Sequence, residues 1–268
     1  MRTPVKYYGG KTRMLPHLLP LIPRHRIYLE AFAGGAALFF AKRPAPIEIL
    51  NDVNGNVVNF YRVIQSHFEE LNKLIQGTLH CEHTFNQAKE IYHSPEGHGA
   101  VQRAWAFWVS SNMAWGGEVG GSFQFVLHSS DNWRPAVSIS SRRKEFSIYK
   151  AKLEKVTIRN RKAEELIPKY DQQDLFVYSD PPYVGARQGH YAGYTQEKFN
   201  SLLKVKASMK GRFLMSSYEN KELSKYVEEY GWQQKRIEQR LGVVSSNQRK
   251  IEVLTWNYDL PKELTLFS

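Results

Sequence analysis

The sequence predicts an α/β fold: a mostly parallel sheet carrying an inserted region with helical stretches. Three observations carry this: a strand, glycine turn, helix and strand order over the first 66 residues, a changed texture from about 70 to 150, and a return of short apolar strands after it. The run Ile27 to Phe32 (IYLEAF) is apolar apart from Glu30 and leads into Ala33-Gly34-Gly35-Ala36. AALFFAK continues it as a helix, and IEILND (47–52) reads as a second strand. Asn54 is placed to cap a helix on which Val57, Val58, Tyr61 and Ile64 share one face. Alternation of this kind favours a parallel sheet. Between 70 and 150 come helical stretches around HTFNQAKEIYH and QRAWAFWVSSNMAW, then the glycine- and aromatic-rich GGEVGGSFQF and the basic SSRRKEF. The expected division is a core of residues 1–67 and 151–268 around an insert at 68–150. Strands resume at VTIRN (156–160), LFVYSD (175–180), GRFLMSSY (211–218), Trp232 to Ile237, and KIEVLTWNY (250–258). The last two leave little room for a crossover helix, so an antiparallel pair at the sheet edge is expected.

Bulk properties narrow the function. At 268 residues the chain suits one large domain or a core with an insert. Lysine and arginine number 37 against 26 acids, and the resulting charge of +11 favours a polyanionic partner. The single cysteine, Cys81, excludes an internal disulfide and fits a reducing cytoplasm. MRTPVKYYGGKTR lacks the apolar core of a signal peptide, and the longest apolar run, Ala31 to Ala41, is too short to span a bilayer. No Cys/His cluster offers a metal site.

The motifs are informative in combination. YYGGKT (7–12) is not a phosphate-binding P-loop, because Val5 stands where that pattern requires glycine. It reads either as an N-terminal turn or as a lysine and an aromatic brought against a ligand. Phe32-Ala33-Gly34-Gly35-Ala36 forms a strand-to-helix turn that lets a ligand approach the backbone. Asp52 ends the next strand 18 residues after Gly34, near the spacing at which dinucleotide folds place an acid for ribose hydroxyls. Taken alone, Asp52 is equally a helix-capping acid. Together they point to an adenosine-containing cofactor without choosing between NAD and S-adenosylmethionine.

SDPPYVG (179–185) is the sharpest feature. A strand cannot continue through Pro181 and Pro182, so the strand before them ends in a stiff turn. Such a turn presents the Asp180 carboxylate, the Pro181 carbonyl and the Tyr183 ring. An exocyclic aromatic amine is a poor nucleophile because its lone pair is delocalised. Two acceptors on its two N–H groups redirect that pair toward an electrophile, and a ring offers a face for stacking. The competing reading is a plain strand-ending turn with an exposed acid and a packed tyrosine.

These motifs in this order resemble the Dam-type DNA adenine-N6 methyltransferases, the D12 class, alpha group. The resemblance covers nearly the whole chain. It rests on Tyr7-Tyr8-Gly9-Gly10-Lys11, on Phe32 to Ala36, on Asp52, on Asp180-Pro181-Pro182-Tyr183, and on Ser245-Ser246-Asn247 with Arg249, Lys250, Glu252 and Leu254. Tyr7 stands where the family often has tryptophan, and Ala36 where it often has a second glycine. The resemblance implies a Rossmann-like S-adenosylmethionine-dependent methyltransferase sheet, with an inserted helical and β-hairpin DNA-recognition domain at 68–150. It implies that Tyr7, Lys11, Phe32, Ala33, Gly34, Gly35, Ala36, Asp52 and Asp180 hold S-adenosylmethionine. Asp180, Pro181, Pro182 and Tyr183 would then methylate N6 of a flipped adenine in a short duplex sequence.

In the insert, Asn112, Trp115, Gln124, Asn132 and Arg134 are expected at bases, and Arg142, Arg143 and Lys144 at phosphates; Lys6 resembles a position at which relatives contact a target-flanking base. Trp105 and Trp108 are expected in the core from their helical spacing. Residues 185–195 suit a loop closing over the base. The expected protein is cytoplasmic, a monomer or weak dimer, needs no metal, and belongs with restriction–modification enzymes. The alternatives are a methyltransferase acting on RNA adenine or cytosine N4, and an inactive DNA-binding relative. For cytosine N4 the family tendency is serine at the Asp180 position, and the intact Lys11, Asp52 and DPPY argue against decay.

Overall fold

Elements follow the expected alternation of strand and helix in a computed structural model that describes residues 2–125, 135–184, 194–240 and 249–260, with backbone alone at 239, 240, 249 and 250. In chain order they are α1 (Leu15–Leu18), β1 (Ile27–Glu30), α2 (Ala37–Ala41), β2 (Ile47–Asn51), α3 (Gly55–Ser66), α4 (Phe68–Gly77), α5 (Glu82–His93), α6 (Ala100–Met113), α7 (Pro135–Glu145) and α8 (Ile148–Leu153). There follow β3 (Thr157–Arg159), α9 (Ala163–Tyr170), β4 (Leu175–Ser179), α10 (Gln196–Ser208), β5 (Arg212–Tyr218), α11 (Lys221–Tyr230), β6 (Gln233–Arg240) and β7 (Arg249–Trp256). The chain forms two compact units. One comprises Met1–Leu15, Gly34–Lys42 and Asp52–Asn160; the other comprises Pro16–Ala33, Arg43–Asn51 and Arg161–Ser268.

The second unit holds strands in the order β2-β1-β4-β5-β7-β6. β1 runs parallel to β2 and β4, and β4 parallel to β5. The β4 run LFVYS is buried along its whole length, as expected of a parallel strand covered on both faces. Val177, Phe213 and Met215 pack with Ile167, Leu202 and Leu203 in one core. β7 returns antiparallel between β5 and β6, so the edge pair forms as the sequence predicts, with β7 as its inner member.

In the first unit α3 carries the expected apolar face. Val57, Val58, Tyr61 and Ile64 are buried, and the Asn54 side chain accepts from the Asn56 amide as the predicted cap. Rings join the helices: Phe60 lies 5.5 Å from Phe107 of α6, and Trp108 lies 6.4 Å from Phe146. Trp108 is fully buried, as expected of a core residue, whereas Trp105 is half-buried and donates its indole N–H to Thr78 Oγ1 at 2.8 Å. Of the expected hairpin, the described residues show an antiparallel bridge between Ala114 and Phe123. Residues 126–134 lie outside the description.

One core residue opposes the pattern. Lys206 of α10 is 1% exposed, its Nζ sits 5.1 Å from the Phe213 ring centroid, and among the described residues it has no hydrogen-bond partner. Burial pushes its ammonium well below the usual lysine range, against a smaller upward pull from Asp171 and Glu164. The folded state thus binds its proton less tightly than the unfolded chain does, and stability rises with pH toward the ordinary lysine value. Lys206→Met, similar in volume and uncharged, is expected to stabilise the protein by roughly 1–3 kcal/mol at pH 7 and to flatten that pH dependence. Urea titrations at pH 7 and pH 9 measure both effects, and a destabilised variant would show that the amine is compensated.

Candidate active site

Chemistry begins where the parallel strands end. β1 exits at Glu30, and the amide of Ala33 donates to the Asn51 carbonyl at the end of β2 (2.8 Å). Phe32 packs edge-to-face with Tyr194 at 6.4 Å. Both Phe32 and Ala33 belong to the second unit.

In the first unit the next residues close around an acid. Gly34 donates its amide to Asp52 Oδ2 (2.8 Å), while Asn54 donates to Asp52 Oδ1 (2.8 Å). Burial raises the Asp52 carboxyl from 3.8 to about 6, although the amides of Asn54, Gly34 and Val53 pull it down. Tyr61 donates its hydroxyl to the Gly34 carbonyl at 2.8 Å. The turn is tight because Tyr7 lies on it. A Cβ on Gly34 would come within 2.9 Å of the Tyr7 ring, and Gly34 has φ +45°. The Tyr7 carbonyl accepts the Gly10 amide (2.9 Å), and Lys11, buried, donates its ammonium to the Gly9 carbonyl (3.0 Å). Tyr7, Lys11, Gly34, Gly35, Ala36 and Asp52 are therefore one constellation. The donor set fits an adenosine-containing cofactor: the Asp52 carboxylate keeps acceptor capacity for a hydroxyl, and Lys11 supplies a cation.

The second constellation belongs to the second unit. Beyond β4 the chain leaves the sheet at Asp180, and Pro181 is buried. Tyr183 donates its hydroxyl toward Asp180 Oδ1 (3.1 Å) and Glu252 Oε1 (2.8 Å). Its ring centroid is 4.2 Å from that of Tyr218. β5 lies parallel to β4, and β7 antiparallel to β5, pairing Glu252 with Tyr218, so Glu252 reaches the same edge as the carboxyl end of β4. Burial, then Asp180 and Glu252, drive the Tyr183 phenol well above its usual value, so it stays neutral and donates. Tyr178 donates to or accepts from Ser216 Oγ at 3.0 Å beneath this group.

The expected DNA-contacting residues divide. Asn112 is 1% and Gln124 4% exposed. Asn112 bonds the Pro4 carbonyl and the Lys6 amide, and Gln124 Oε1 accepts from the Lys6 ammonium at 3.3 Å. Burial and the neighbouring Arg142 lower that ammonium to about 8. Arg142 donates to the Thr3 carbonyl and Arg143 to the Gln76 carbonyl. Trp115 is exposed. Asn132, Arg134, the 185–193 part of the expected loop and Ser245 to Asn247 lie outside the described residues. Sequence reasoning missed Tyr61, Tyr218 and the place of Glu252 beside Tyr183. Strand alternation alone held the signal for Tyr218, at the carboxyl end of β5.

Comparison with known proteins defines the class. The family model described as D12 class N6 adenine-specific DNA methyltransferase matches residues 7–115 and 117–241. A type II methyltransferase of Lactococcus lactis subsp. cremoris, M1.LlaDCHI, is 26% identical over 96% of both chains. A DNA N-6-adenine-methyltransferase of Escherichia phage P1 is 35% identical over 38% of this chain and 12% of its own length. Among solved structures, a Streptococcus mutans protein assigned to the methyltransferases and held with SAH matches at TM-score 0.39 and 9% identity, over 92% of this chain and 98% of its own. A Streptococcus thermophilus rRNA methylase matches at TM-score 0.35 and 9% identity, over 92% and 93%. At such TM-scores the family match carries the assignment. The chain belongs to the D12 class N6 adenine-specific DNA methyltransferases. It transfers a methyl group to N6 of adenine in DNA, with S-adenosylmethionine as cofactor.

Ala36, at the family's second glycine, is the one described non-glycine residue with positive φ (+52°), and it is 1% exposed. A left-handed alanine costs about 1–2 kcal/mol. Glycine removes that cost and returns part of it as chain entropy. Ala36→Gly is therefore expected to hold or raise stability by up to about 1 kcal/mol, where the same change in a helix lowers it. Thermal unfolding checks this, and a clear loss of stability would mean that the Ala36 methyl packs usefully.

Proposed function

We propose that this enzyme methylates adenine within a short sequence of double-stranded DNA, by drawing the base out of the helix to the Asp180–Tyr183 turn. The observation that carries this is the double hydrogen bond of Tyr183 to Asp180 and Glu252. It fixes the carboxylate at the end of a rigid Pro-Pro turn, where an incoming amine meets an oriented acceptor. Reaching N6 in a duplex requires extrusion of the base. The type II designation of the Lactococcus relative supports a role in restriction–modification.

The residues take distinct parts. Asp180 and the Pro181 carbonyl accept the two N–H groups of the amine, which turns its lone pair toward the methyl carbon. Tyr183 holds Asp180 in place and offers its ring to the base, while Pro182 limits the turn's freedom. S-adenosylmethionine, when bound, would supply an electrophilic methyl carried on sulfonium, with the thioether as its leaving group. Transfer leaves a cationic N6, and Asp180 is placed to take its surplus proton and pass it to water. Asp52 accepts ribose hydroxyls, Lys11 meets the methionine carboxylate, and Tyr7 and residues Phe32 to Ala36 shape the surrounding turn. Since positioning does most of the work, these groups need little change during turnover. Residues 68–150 serve as the recognition region, with Lys6 beside them.

Two tests follow. Asp180→Ala is expected to lower transfer by at least ~10³-fold; near-normal turnover on duplex oligonucleotides would refute the turn's role. Asp52 gives a pH signature. Its folded-state value is raised to about 6, so the carboxylate exists above that pH and is lost below it. Affinity for S-adenosylmethionine is expected to be flat above pH 6 and to weaken by up to about tenfold per unit below it. Asp52→Asn should bind weakly with no such slope. Calorimetry from pH 5 to 8 reads both, and a flat wild-type profile would remove Asp52 from the cofactor site.

A further inference from the structure

Residues 2–6 run directly into the Tyr7 turn, and side chains from the 68–150 region grip them along their length. Tyr149 donates its hydroxyl to the Arg2 carbonyl (3.0 Å), and Arg142 Nη1 to the Thr3 carbonyl (2.8 Å). Asn112 Nδ2 donates to the Pro4 carbonyl (3.2 Å), and its Oδ1 accepts from the Lys6 amide (3.0 Å). Gln124 receives the Lys6 ammonium. Gly117 lies so close that a Cβ there would meet Lys6 Cβ at 3.2 Å. Asn112 is the most constrained member: 1% exposed, at the end of α6, with its donor and its acceptor both committed to backbone. Its amide does for this segment what a neighbouring strand would do, fixing a carbonyl and the N–H two residues on. The next residue is Tyr7, whose ring covers Gly34, whose Cβ faces Gly35 and whose carbonyl organises Gly10.

We propose that Asn112 is a positioning residue for the cofactor site rather than a reader of bases: by clamping Pro4 and Lys6 to α6 it sets Tyr7 against the Gly34 turn. This rests on the reading that Tyr7 helps hold S-adenosylmethionine. It gives the recognition region a physical link to cofactor affinity, because the segment that Asn112 holds also carries Lys6. Such a link works in both directions: whatever displaces Lys6 alters the cofactor site, and cofactor binding steadies the segment.

The experiment is calorimetry of the full chain with S-adenosylmethionine and with S-adenosylhomocysteine, without DNA. The proteins are wild type, Asn112→Ala, Asn112→Asp, Tyr7→Ala and the Tyr7→Ala/Asn112→Ala double variant, with thermal unfolding as a check on folding. Asn112→Ala leaves a buried carbonyl and amide unpaired and is expected to weaken cofactor binding about tenfold. Asn112→Asp keeps the acceptor for the Lys6 amide and should weaken it less. In the Tyr7→Ala background the Asn112 change should add little, since its effect passes through Tyr7. In steady-state kinetics the loss should appear mainly in the KM for S-adenosylmethionine. Three outcomes overturn the proposal: wild-type cofactor affinity in both Asn112 variants, full additivity with Tyr7→Ala, or a loss confined to the KM for duplex DNA. If Tyr7→Ala itself leaves cofactor affinity unchanged, the reading of Tyr7 fails as well, and the two failures are told apart by that single variant.

Discussion

Parallel pairing of β1 with both β2 and β4 is the constraint on which the chemistry depends. In a parallel sheet all carboxyl ends leave by one edge, and open α/β sheets take their ligands there. Here Leu29 pairs with Ile49 on one side and Val177 on the other. A slip by one residue would turn every side chain over. Hydrogen bonds beyond the ladder also lock the register at its carboxyl end. Asn51 donates its side-chain amide to the Ala31 carbonyl (2.9 Å) and accepts the Ala33 amide on its backbone (2.8 Å). Asp52 is the next residue after Asn51, and Gly34 the next after Ala33. Within the first unit the acid and the glycine hold each other, Gly34 donating its amide to Asp52 Oδ2 (2.8 Å).

The two constellations, each within its own unit, are built in opposite ways. Around Gly34 the chain is bent into conformations that side chains resist: Gly34 at φ +45° and Ala36 at +52°. Strain of this kind persists only where surrounding contacts enforce it, and Tyr7 above with Tyr61 behind provide them. Around Asp180 there is no left-handed residue among those described. Two prolines stiffen the turn instead, and a shared tyrosine proton ties its acid to an antiparallel neighbour. A hydroxyl has one proton, so Tyr183 serves two carboxylates only by bifurcation or alternation. That arrangement holds Asp180 at the end of β4.

The strands and their order of types were legible because apolar runs bounded by Gly, Pro and Asn announce themselves locally. So was the cap at Asn54, and so were the Gly34–Asp52 and Asp180–Tyr183 motifs, each short in sequence. Glu252 was visible only as part of a motif; its bond to Tyr183 spans 69 residues and depends on the β5–β7 register, which no local pattern encodes. Lys206 was invisible for a different reason: a lysine at helical spacing reads as a solvated face, and its burial against Phe213 is decided by tertiary packing. The polar residues of 68–150 looked like DNA contacts because amide and guanidinium groups suit base edges and phosphates equally well. Asn112 and Arg142 use those same groups on the backbone of residues 3–6.

That last point separates two meanings of basic charge. A guanidinium that donates to a backbone carbonyl, as Arg142 does to Thr3 and Arg143 to Gln76, makes no phosphate contact through that bond, yet it keeps its full unit of charge. Contacts act over a few ångström; the field of the summed charge acts over about a Debye length, ~8–10 Å at physiological salt. Residues anchored internally therefore still contribute to the +11 surplus that draws a polyanion toward the protein. Their effect falls on the rate of encounter and its salt dependence, while sequence choice rests on groups that meet base edges. A run such as Arg142-Arg143-Lys144 is thus consistent with a DNA enzyme even where two of its members hold the chain to itself.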